Sequence, residues 1–466
     1  MQLTAEQKDV GRRNFLKAAA TLPAVGAFSM TATNAGPIKV GVVGTGMEGR
    51  ILMNVMNPKY VFINALCDIR PDNRAIGAFN VRNPDSKLNP NLDDSQIYER
   101  YEDMLESADI EAVIIATPLK YHGPMAIQAL KAGKHVFTEK SMAYTVEECQ
   151  EMIKLSKQYG LNLQVGHQRF YNPLYWDMYR MVTDGLLGNV YHIRTLWHRN
   201  TDWNYFKYIE TKYFESMMNE FDPTQYGYED IYKLVNWRWY SNTSHGLWTE
   251  LCSHQTAITN WIFGDKPPIS VMASGGHYKV AKDFDDQYRD ADDDEIEFKK
   301  VYESDDRDIN DHVYATLEYE GGRTVTYSAI QSNSFDNYYE QIMGTYGTII
   351  LSKENEYYLF WEPGWSEDVA KEASVDTAVE ESEESAAESA FAAHASGEAP
   401  TGGGGASGMT PYEPYGWELD GFAHTIRTGA PNLCDGYRGM IALQAALAGK
   451  ESIETGKRVI LPKIVV

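Results

Sequence analysis

The chain has 466 residues, 43% of them hydrophobic, with 42 basic and 66 acidic side chains and a net charge of −24. That length calls for more than one core, and that charge argues against a nucleic-acid surface, which needs cationic groups. Cys67, Cys149, Cys252 and Cys434 stand far apart with no C-x-x-C, so neither a disulfide framework nor a zinc knuckle is indicated.

Residues 1–35 read as an export signal. Arg12-Arg13-Asn14-Phe15-Leu16-Lys17 is a twin-arginine motif, followed by a weakly apolar stretch from Ala18 to Met30 and by small residues, Thr33-Asn34-Ala35, suited to cleavage. The expected partner is the twin-arginine export machinery, and the expected location is periplasmic or otherwise extracytoplasmic. No other run is long and apolar enough to span a bilayer, so no span is expected in the mature chain.

Residues 36–169 alternate strand and helix patterns. Strands are predicted at 38–43, 61–67, 112–116, 135–138 and 162–165, with helices at 121–132 and 146–159. Gly133 takes the place of a C-cap, and Thr145 with Glu148 makes a capping box. This rhythm predicts a doubly wound parallel sheet with ligands at the carboxyl ends of its strands. Those ends are Gly44 to Gly49, Asp68, Thr117-Pro118, Glu139-Lys140 and Gly166-His167.

The first turn organises the domain. Gly44, Gly46 and Gly49 form a G-x-G-x-x-G between a strand and a helix. The spacing allows a tight turn, close approach of backbone to a pyrophosphate, and close helix–strand packing, with the helix N-terminus facing the phosphates. Asp68 ends the second strand 19 residues after Gly49, where a carboxylate meets a ribose 2′-OH, so NAD is expected. Arg70 and Arg74 stand just beyond it and keep a 2′-phosphate, and so NADP, open. With the other strand ends, the expected cofactor-binding set is Gly44, Gly46, Met47, Gly49, Asp68, Arg70, Thr117, Pro118, His122, Glu139 and Lys140.

Residues 170–365 read as a second α/β domain. A helix at 173–184 leads to an alternating strand at 190–198, an aromatic-rich irregular region to 244, and a helix at 247–263. Strands follow at 269–274, 312–319, 324–333, 338–344, 348–351 and 357–361, with short turns such as Glu320-Gly321-Gly322, which predicts a mainly antiparallel sheet. Two segments hold most of the acidity: 283–311 with 14 acids and 4 bases, read as a surface loop, and 367–398 with 10 acids and 1 base. The second belongs to a Glu/Ser/Ala- and Gly-rich stretch, 366–410, too polar to build a core and read as a disordered linker. Residues 411–466 read as helices at 416–428 and 439–452 and a closing strand at 458–461. His122, His167 and His198 lack metal-ligand spacing, and no metal is expected. Trp197, Trp203, Trp237, Trp239 and Trp248 suit either a sugar platform or, more commonly, a core.

Three further segments carry a resemblance. Gly133-Lys134-His135-Val136-Phe137-Thr138-Glu139-Lys140-Ser141 resembles the G-K-H-V-x-x-E-K-P segment of the Gfo/Idh/MocA oxidoreductases, relatives of glucose–fructose oxidoreductase and inositol dehydrogenase. Asn236-Trp237-Arg238 through Glu250-Leu251-Cys252-Ser253-His254-Gln255 resembles that family's G-G-x-x-x-D-x-G-x-H segment. Asp311 to Tyr319 resembles its central sheet strand. The resemblance implies a Rossmann domain followed by an α/β domain with a large sheet. It implies an NAD(P)-dependent enzyme that passes hydride between a bound nicotinamide and a sugar, polyol or related compound.

Lys140 would then hold the substrate oxygen, and His254 would move the proton. Glu250, four residues earlier on one helix face, would orient the imidazole or bind a substrate hydroxyl. Ser141 stands where the family has proline, Glu250 where it has aspartate, and Ala257 where an H-x-x-D aspartate is common. A glycosidase using bound NAD transiently, and a non-catalytic binding protein of the same fold, are the alternatives. An exported enzyme must keep its dinucleotide, so a tightly held cofactor is expected. A homo-oligomer is expected from the second sheet, whose far face needs a cover.

Overall fold

The computed structural model describes residues 3–21, 36–86, 88–201, 203, 221–277, 306–366, 368–370 and 413–464. The stretch 371–410 and most of 283–311 lie outside the described residues, as do 22–35 of the leader.

The chain begins with helix α1 (Ala5–Thr21). Six parallel strands then form one sheet: β1 (Ile38–Val43), β2 (Val61–Cys67), β3 (Ile97–Tyr98), β4 (Ala112–Ile115), β5 (His135–Glu139) and β6 (Leu163–Gly166). Their order is β3-β2-β1-β4-β5-β6, so the winding reverses between β1 and β4. The crevice at that reversal is where such sheets bind ligands. Alternate residues of β4 feed two separate apolar clusters, Ala112 and Ile114 one, Val113 and Ile115 the other. Both faces of the sheet are therefore covered, which is why these strands read as continuous apolar runs.

The crossovers are α2 (Met47–Val55), α3 (Pro71–Arg82), α4 (Tyr101–Ser107), α5 (His122–Lys131) and α6 (Val146–Tyr159). Helix α6 starts where its capping box predicts. The Thr145 hydroxyl accepts the Glu148 N–H at 3.1 Å, and Glu148 accepts the Thr145 N–H at 3.1 Å. Gly160 closes it in the left-handed conformation, φ 65°.

The second domain carries α7 (Pro173–Thr183), β7 (Val190–His198), α8 (Gly246–Ile262), β8 (Ser270–Gly276), β9 (His312–Glu318), β10 (Thr324–Ile330), β11 (Tyr338–Gly344), β12 (Gly347–Ser352) and β13 (Glu356–Trp361). After them come α9 (Glu413–Thr428), α10 (Gly436–Thr455) and β14 (Val459–Ile460). The sheet runs β13-β12-β11-β7-β10-β9-β8-β14, antiparallel except for the β7–β10 pair. Every residue of α8 is buried, because β10 lies on one side of it and α10 on another. The Trp248 indole N–H donates to the Ala446 carbonyl to lock the two helices. Strand β9 alternates exposed and buried residues, so the far side of this sheet is open, with Tyr314 62% exposed.

Three segments take positions that the sequence left open. The C-terminal segment does not return to one place. Helix α9 covers the first sheet, where Phe422 meets Phe137 at 5.8 Å and Arg427 binds Glu111 at 2.6 Å, whereas α10 and β14 belong to the second domain. The described end of the acidic stretch keeps Asp306 and Asp308 exposed, as a surface loop does, and clips to residues 240–241. Asp306 accepts the Tyr240 hydroxyl at 2.8 Å, and Asp308 accepts the Ser241 N–H at 2.6 Å. Residues 5–21 of the leader form a packed helix. Phe15 is 1% exposed against Tyr357, and the Asn14 amide donates to the Leu359 carbonyl of edge strand β13 at 3.1 Å. Arg12 and Arg13 remain exposed, Arg12 with its guanidinium over the Tyr358 ring of β13.

Candidate active site

The glycine turn is built as its spacing requires. Gly44 has φ +85°, and a Cβ there would lie 2.4 Å from the Ala116 carbonyl oxygen. A Cβ on Gly49 would lie 1.9 Å from the Gly44 oxygen, so only glycine lets α2 start this close to β1. Around Gly46 the nearest atom to a Cβ is the Asn73 amide at 3.7 Å, which leaves the backbone open to the cleft. Helix α2 has no side-chain cap at Gly46, so its first N–H groups are available to an anion. The residues present fit a dinucleotide pyrophosphate.

Asp68 is 8% exposed and ties the turn to β2. One carboxylate oxygen accepts the Thr45 N–H at 2.8 Å and the Asn73 amide at 3.1 Å, and the other accepts the Arg70 N–H at 2.8 Å. Burial pushes its carboxyl above the usual range. Arg70 is paired with Asp72, while Arg74 donates to the Asp68 carbonyl at 2.7 Å and to Glu99 at 3.1 Å. Both guanidiniums thus have protein partners beside the ribose position. Asn73 was not legible, because only the start of α3 at Pro71 turns it back toward Asp68.

A cleft of ≈ 900 Å³ opens along these strand ends. The turn with Met47, Asp68, Thr117, Pro118, Glu139 and Lys140 forms one wall. Tyr226, Tyr228, Trp237, Arg238 and Glu250 form the other. The tyrosines were missed in the sequence. They come from the irregular 221–240 segment, which is held over the cleft by the Tyr121 hydroxyl donating to the Tyr226 carbonyl at 2.9 Å. His122 plays a different part from the one expected. It is 2% exposed, and its two ring nitrogens face the Thr117 and Ser141 carbonyls, each at 2.8 Å. It joins two strand-end loops and has no ring nitrogen left for a nucleotide. Burial lowers its pKa.

Lys140 stands at the inner end of the cleft, and its peptide bond to Ser141 is cis. Its Nζ donates to the Glu250 carbonyl at 3.0 Å and lies 3.7 Å from the Glu250 carboxylate. The same carboxylate oxygen accepts Arg238 Nε at 3.2 Å. The loop around Lys140 is stitched to the start of α8. The Ser141 hydroxyl donates to the Thr249 carbonyl at 3.3 Å, and Tyr144 stacks on His245 at 3.7 Å.

Glu250 therefore serves Lys140 and Arg238 and does not orient His254, which corrects the pairing inferred from their spacing. The four-residue interval placed both on α8, but each carboxylate contact goes to the cleft. His254 is 5% exposed, 5.0 Å from the Trp197 ring and 5.9 Å from the His167 ring, and its Nδ1 has no hydrogen-bond partner. Burial, then the charges of Lys140 and Arg169, hold its pKa well below the ordinary value. The same causes lower His167 to about 3. Both His167 ring nitrogens and the Trp197 indole N–H, beside the His254 ring, are also buried without partners, as are the Tyr327 hydroxyl and the amides of Gln255 and Gln331 in the same domain. Of the five tryptophans considered for a platform, Trp203, Trp239 and Trp248 are core, and Trp237 lines the cleft. His198, next to Trp197 on β7, is bonded to Phe335 and Ser328. Among the described residues no group of three or more metal-ligating side chains is placed to hold an ion.

A glycine-turn cleft ending in a lysine on a strand-end E-K pair, backed by a second domain with a mostly antiparallel sheet, is a two-domain dinucleotide oxidoreductase architecture. Residues 38–167 match the oxidoreductase family with an NAD-binding Rossmann fold, and residues 180–461 match its C-terminal α/β domain. The chain belongs to the Gfo/Idh/MocA family.

It is 33% identical over 160 residues to an inositol 2-dehydrogenase/D-chiro-inositol 3-dehydrogenase of Lactiplantibacillus plantarum, covering 32% of this chain and 41% of that one. It is also 33% identical over 164 residues to an alpha-N-acetylgalactosaminidase of Tannerella forsythia, covering 34% of each. Both alignments span well under two thirds of the relative. Among solved structures, the WlbA dehydrogenase of Bordetella pertussis, in complex with NADH and UDP-GlcNAcA, superposes with a TM-score of 0.63 at 18% identity over 93% of this chain and all of that one. At that identity the likeness is one of fold.

Proposed function

We propose that the protein is an NAD-dependent oxidoreductase acting on a secondary hydroxyl of a sugar or polyol. The observation that carries this reading is Lys140, fixed at the inner end of the cofactor cleft by the Glu250 carbonyl and carboxylate. A bound NAD supplies the hydride acceptor. The glycine turn and the α2 N-terminus bind its phosphates, and Asp68 offers a carboxylate at the ribose. Lys140 donates a hydrogen bond to the substrate oxygen and stabilises its developing negative charge. Glu250, itself held by Arg238, anchors the lysine side chain. His254, neutral because buried, accepts a proton at its free nitrogen. The unpartnered Trp197 and His167 groups beside His254 would serve as donor and acceptors for substrate hydroxyls.

The alignment with an alpha-N-acetylgalactosaminidase supports a second reading, glycoside cleavage through transient oxidation. Incubating cofactor-loaded protein with polyols, sugars and aryl glycosides separates the two. Growth of the reduced-nicotinamide band is expected for the first, and aglycone release without net reduction supports the second. Neither signal would overturn both.

Twin-arginine export, a retained cofactor and a homo-oligomer belong to the same proposal. Arg12 and Arg13 stand exposed in support of the first, and the open sheet face bearing Tyr314 and Met272 supports the last. Denaturing protein purified without added nucleotide and weighing what is released tests retention and distinguishes NAD from NADP. Light scattering tests the assembly, and fractionation of cells tests the location.

A further inference from the structure

The interface between α9 and the first sheet holds two carboxylates that the reaction as described does not use. Phe137 on β5 packs against Phe422 on α9. Glu139 lies two residues further along the same face of β5, and Glu418 lies one turn back along α9. A two-residue strand step and a one-turn helix step each cover roughly 6 Å, so the two acids are brought opposite each other. Gln164, on the same sheet face beside β5, donates its amide to the Glu418 carbonyl at 2.7 Å and fixes that approach.

Glu418 is 0% exposed, and neither of its carboxylate oxygens has a partner. Glu139 is 4% exposed; one oxygen accepts the Lys140 backbone N–H at 3.1 Å and the other has no partner. The Gln164 side-chain oxygen, also 0% exposed, is likewise unpartnered. Room for the Glu139 carboxylate depends on Gly166, where a Cβ would sit 3.0 Å from its oxygen. The groups acting on the pair are Glu48 of α2, Glu354, Tyr415, Tyr171 and the Cys434 thiol, with Lys140 and Arg238 as the cations.

We propose that Glu139 and Glu418 share one proton and form a buried acid pair that stores, behind Lys140, the hydroxyl proton set free when substrate gives up hydride. The inference rests on the hydride-transfer reading. Two ionised carboxylates cannot face each other in so dry a place without a counter-charge, whereas one proton between them satisfies an oxygen on each. Burial favours the protonated form of both, and so does the charge of Glu48 on Glu139 and of Glu139 on Glu418. Oxidising the alcohol breaks one C–H and one O–H bond and forms C=O. The hydride goes to oxidised NAD, and the proton, taken first by His254, passes on to the remaining carboxylate through the cleft that Glu139 and Lys140 both line. Return of the hydride takes the proton back. An enzyme that keeps its cofactor and runs the step in both directions thereby needs no proton from bulk water.

The test counts protons and hydrides together. Holoprotein is reduced by an accepted polyol in weak buffer with an indicator dye, and proton release is set against growth of the nicotinamide band. The expected result near neutral pH is clearly less than one proton released per hydride for the wild type, rising to a full proton in Glu418→Gln. A full proton in both overturns the proposal. An infrared difference spectrum between wild type and Glu418→Gln, taken without substrate, is expected to show loss of a protonated-carboxyl band. No such band means an ionised pair, holding a cation in place of the proton, and also overturns it. Absence of any reduction sinks the hydride reading, while the infrared result still decides the pair.

Discussion

Two buried polar regions of the second domain lie within contact of one another and are built on opposite principles. Around Arg169 the charges are paired, with the guanidinium's Nη2 left without a partner. Its guanidinium meets Glu340 at 2.6 Å and Glu354 at 2.8 Å, the Tyr175 hydroxyl donates to Glu340 at 2.6 Å, and the Asn172 amide donates to the Glu354 carbonyl at 2.9 Å. Around His254, across the Trp197 ring on which Arg169 also rests, hydrogen-bonding atoms are left without partners. An unsatisfied buried group costs roughly 1–3 kcal/mol. On the proposed function, the first region is architecture and the second is a mould for a polar ligand.

Substitutions can break that contrast. The largest effect is expected at the boundary between cleft and mould. Lys140→Ala should lower turnover by roughly 10²–10⁴-fold with nucleotide affinity unchanged. Steady-state rates beside a nucleotide titration measure it, and near-normal turnover would remove Lys140 from the mechanism. Next comes Arg169→Met, which strands Glu340 and Glu354 without a cation. A loss of about 3–5 kcal/mol in urea unfolding is expected, because one partner of a buried pair is left charged and alone. A change below ~1 kcal/mol would mean that the region is not the structural one.

His254→Asn should do the reverse. Turnover is expected to fall by about 10²-fold, while the unfolding midpoint stays within the narrow range of a mild substitution. A stability loss as large as that of Arg169→Met would show that His254 is core.

The smallest effect concerns pH. His167 has an ordinary value of 6.5 and is held at about 3 in the fold. Between those values the unfolded chain binds a proton that the native one refuses. Its contribution to stability is therefore complete above pH 6.5 and is lost as pH falls toward 3, by up to about 1.4 kcal/mol per pH unit. The buried acids Glu139 and Glu418, raised in the fold, slope the other way. Urea midpoints at pH 7 and 5 in wild type and His167→Gln isolate the term. Equal pH slopes in the two would contradict it.

Legibility in the sequence followed how local the cause was. The glycine turn, Asp68 and the Thr145–Glu148 box are each written within a few residues, and each stands where the spacing placed it. Lys140 and Glu250 were both legible as site residues, but their contact was not. The four-residue interval from Glu250 to His254 suggested an intrahelical pair, whereas the nearer partner comes from the end of β5. Tyr226 and Tyr228 sit in a stretch with no periodicity to announce them. Glu418 gave no signal at all: its meaning depends on which sheet α9 covers, and nothing in the helix's own sequence names Phe137. The packing of the leader's first half was not legible, because the twin-arginine pattern drew the reading to export while Phe15 and Ala18 form an apolar stripe equally suited to a groove.

That stripe has a consequence for self-association. Strand β13 is an outer strand, and its free side would otherwise present unpaired carbonyl and N–H groups in a row, the template on which a foreign strand is added. Helix α1 lies along it like a cover strip, with Asn14 plugging one carbonyl and Phe15 sealing the Tyr357 ring. Any event that draws residues 5–21 away, whether capture by a receptor or cutting by a peptidase, unzips a ready-made β-pairing surface at the same instant.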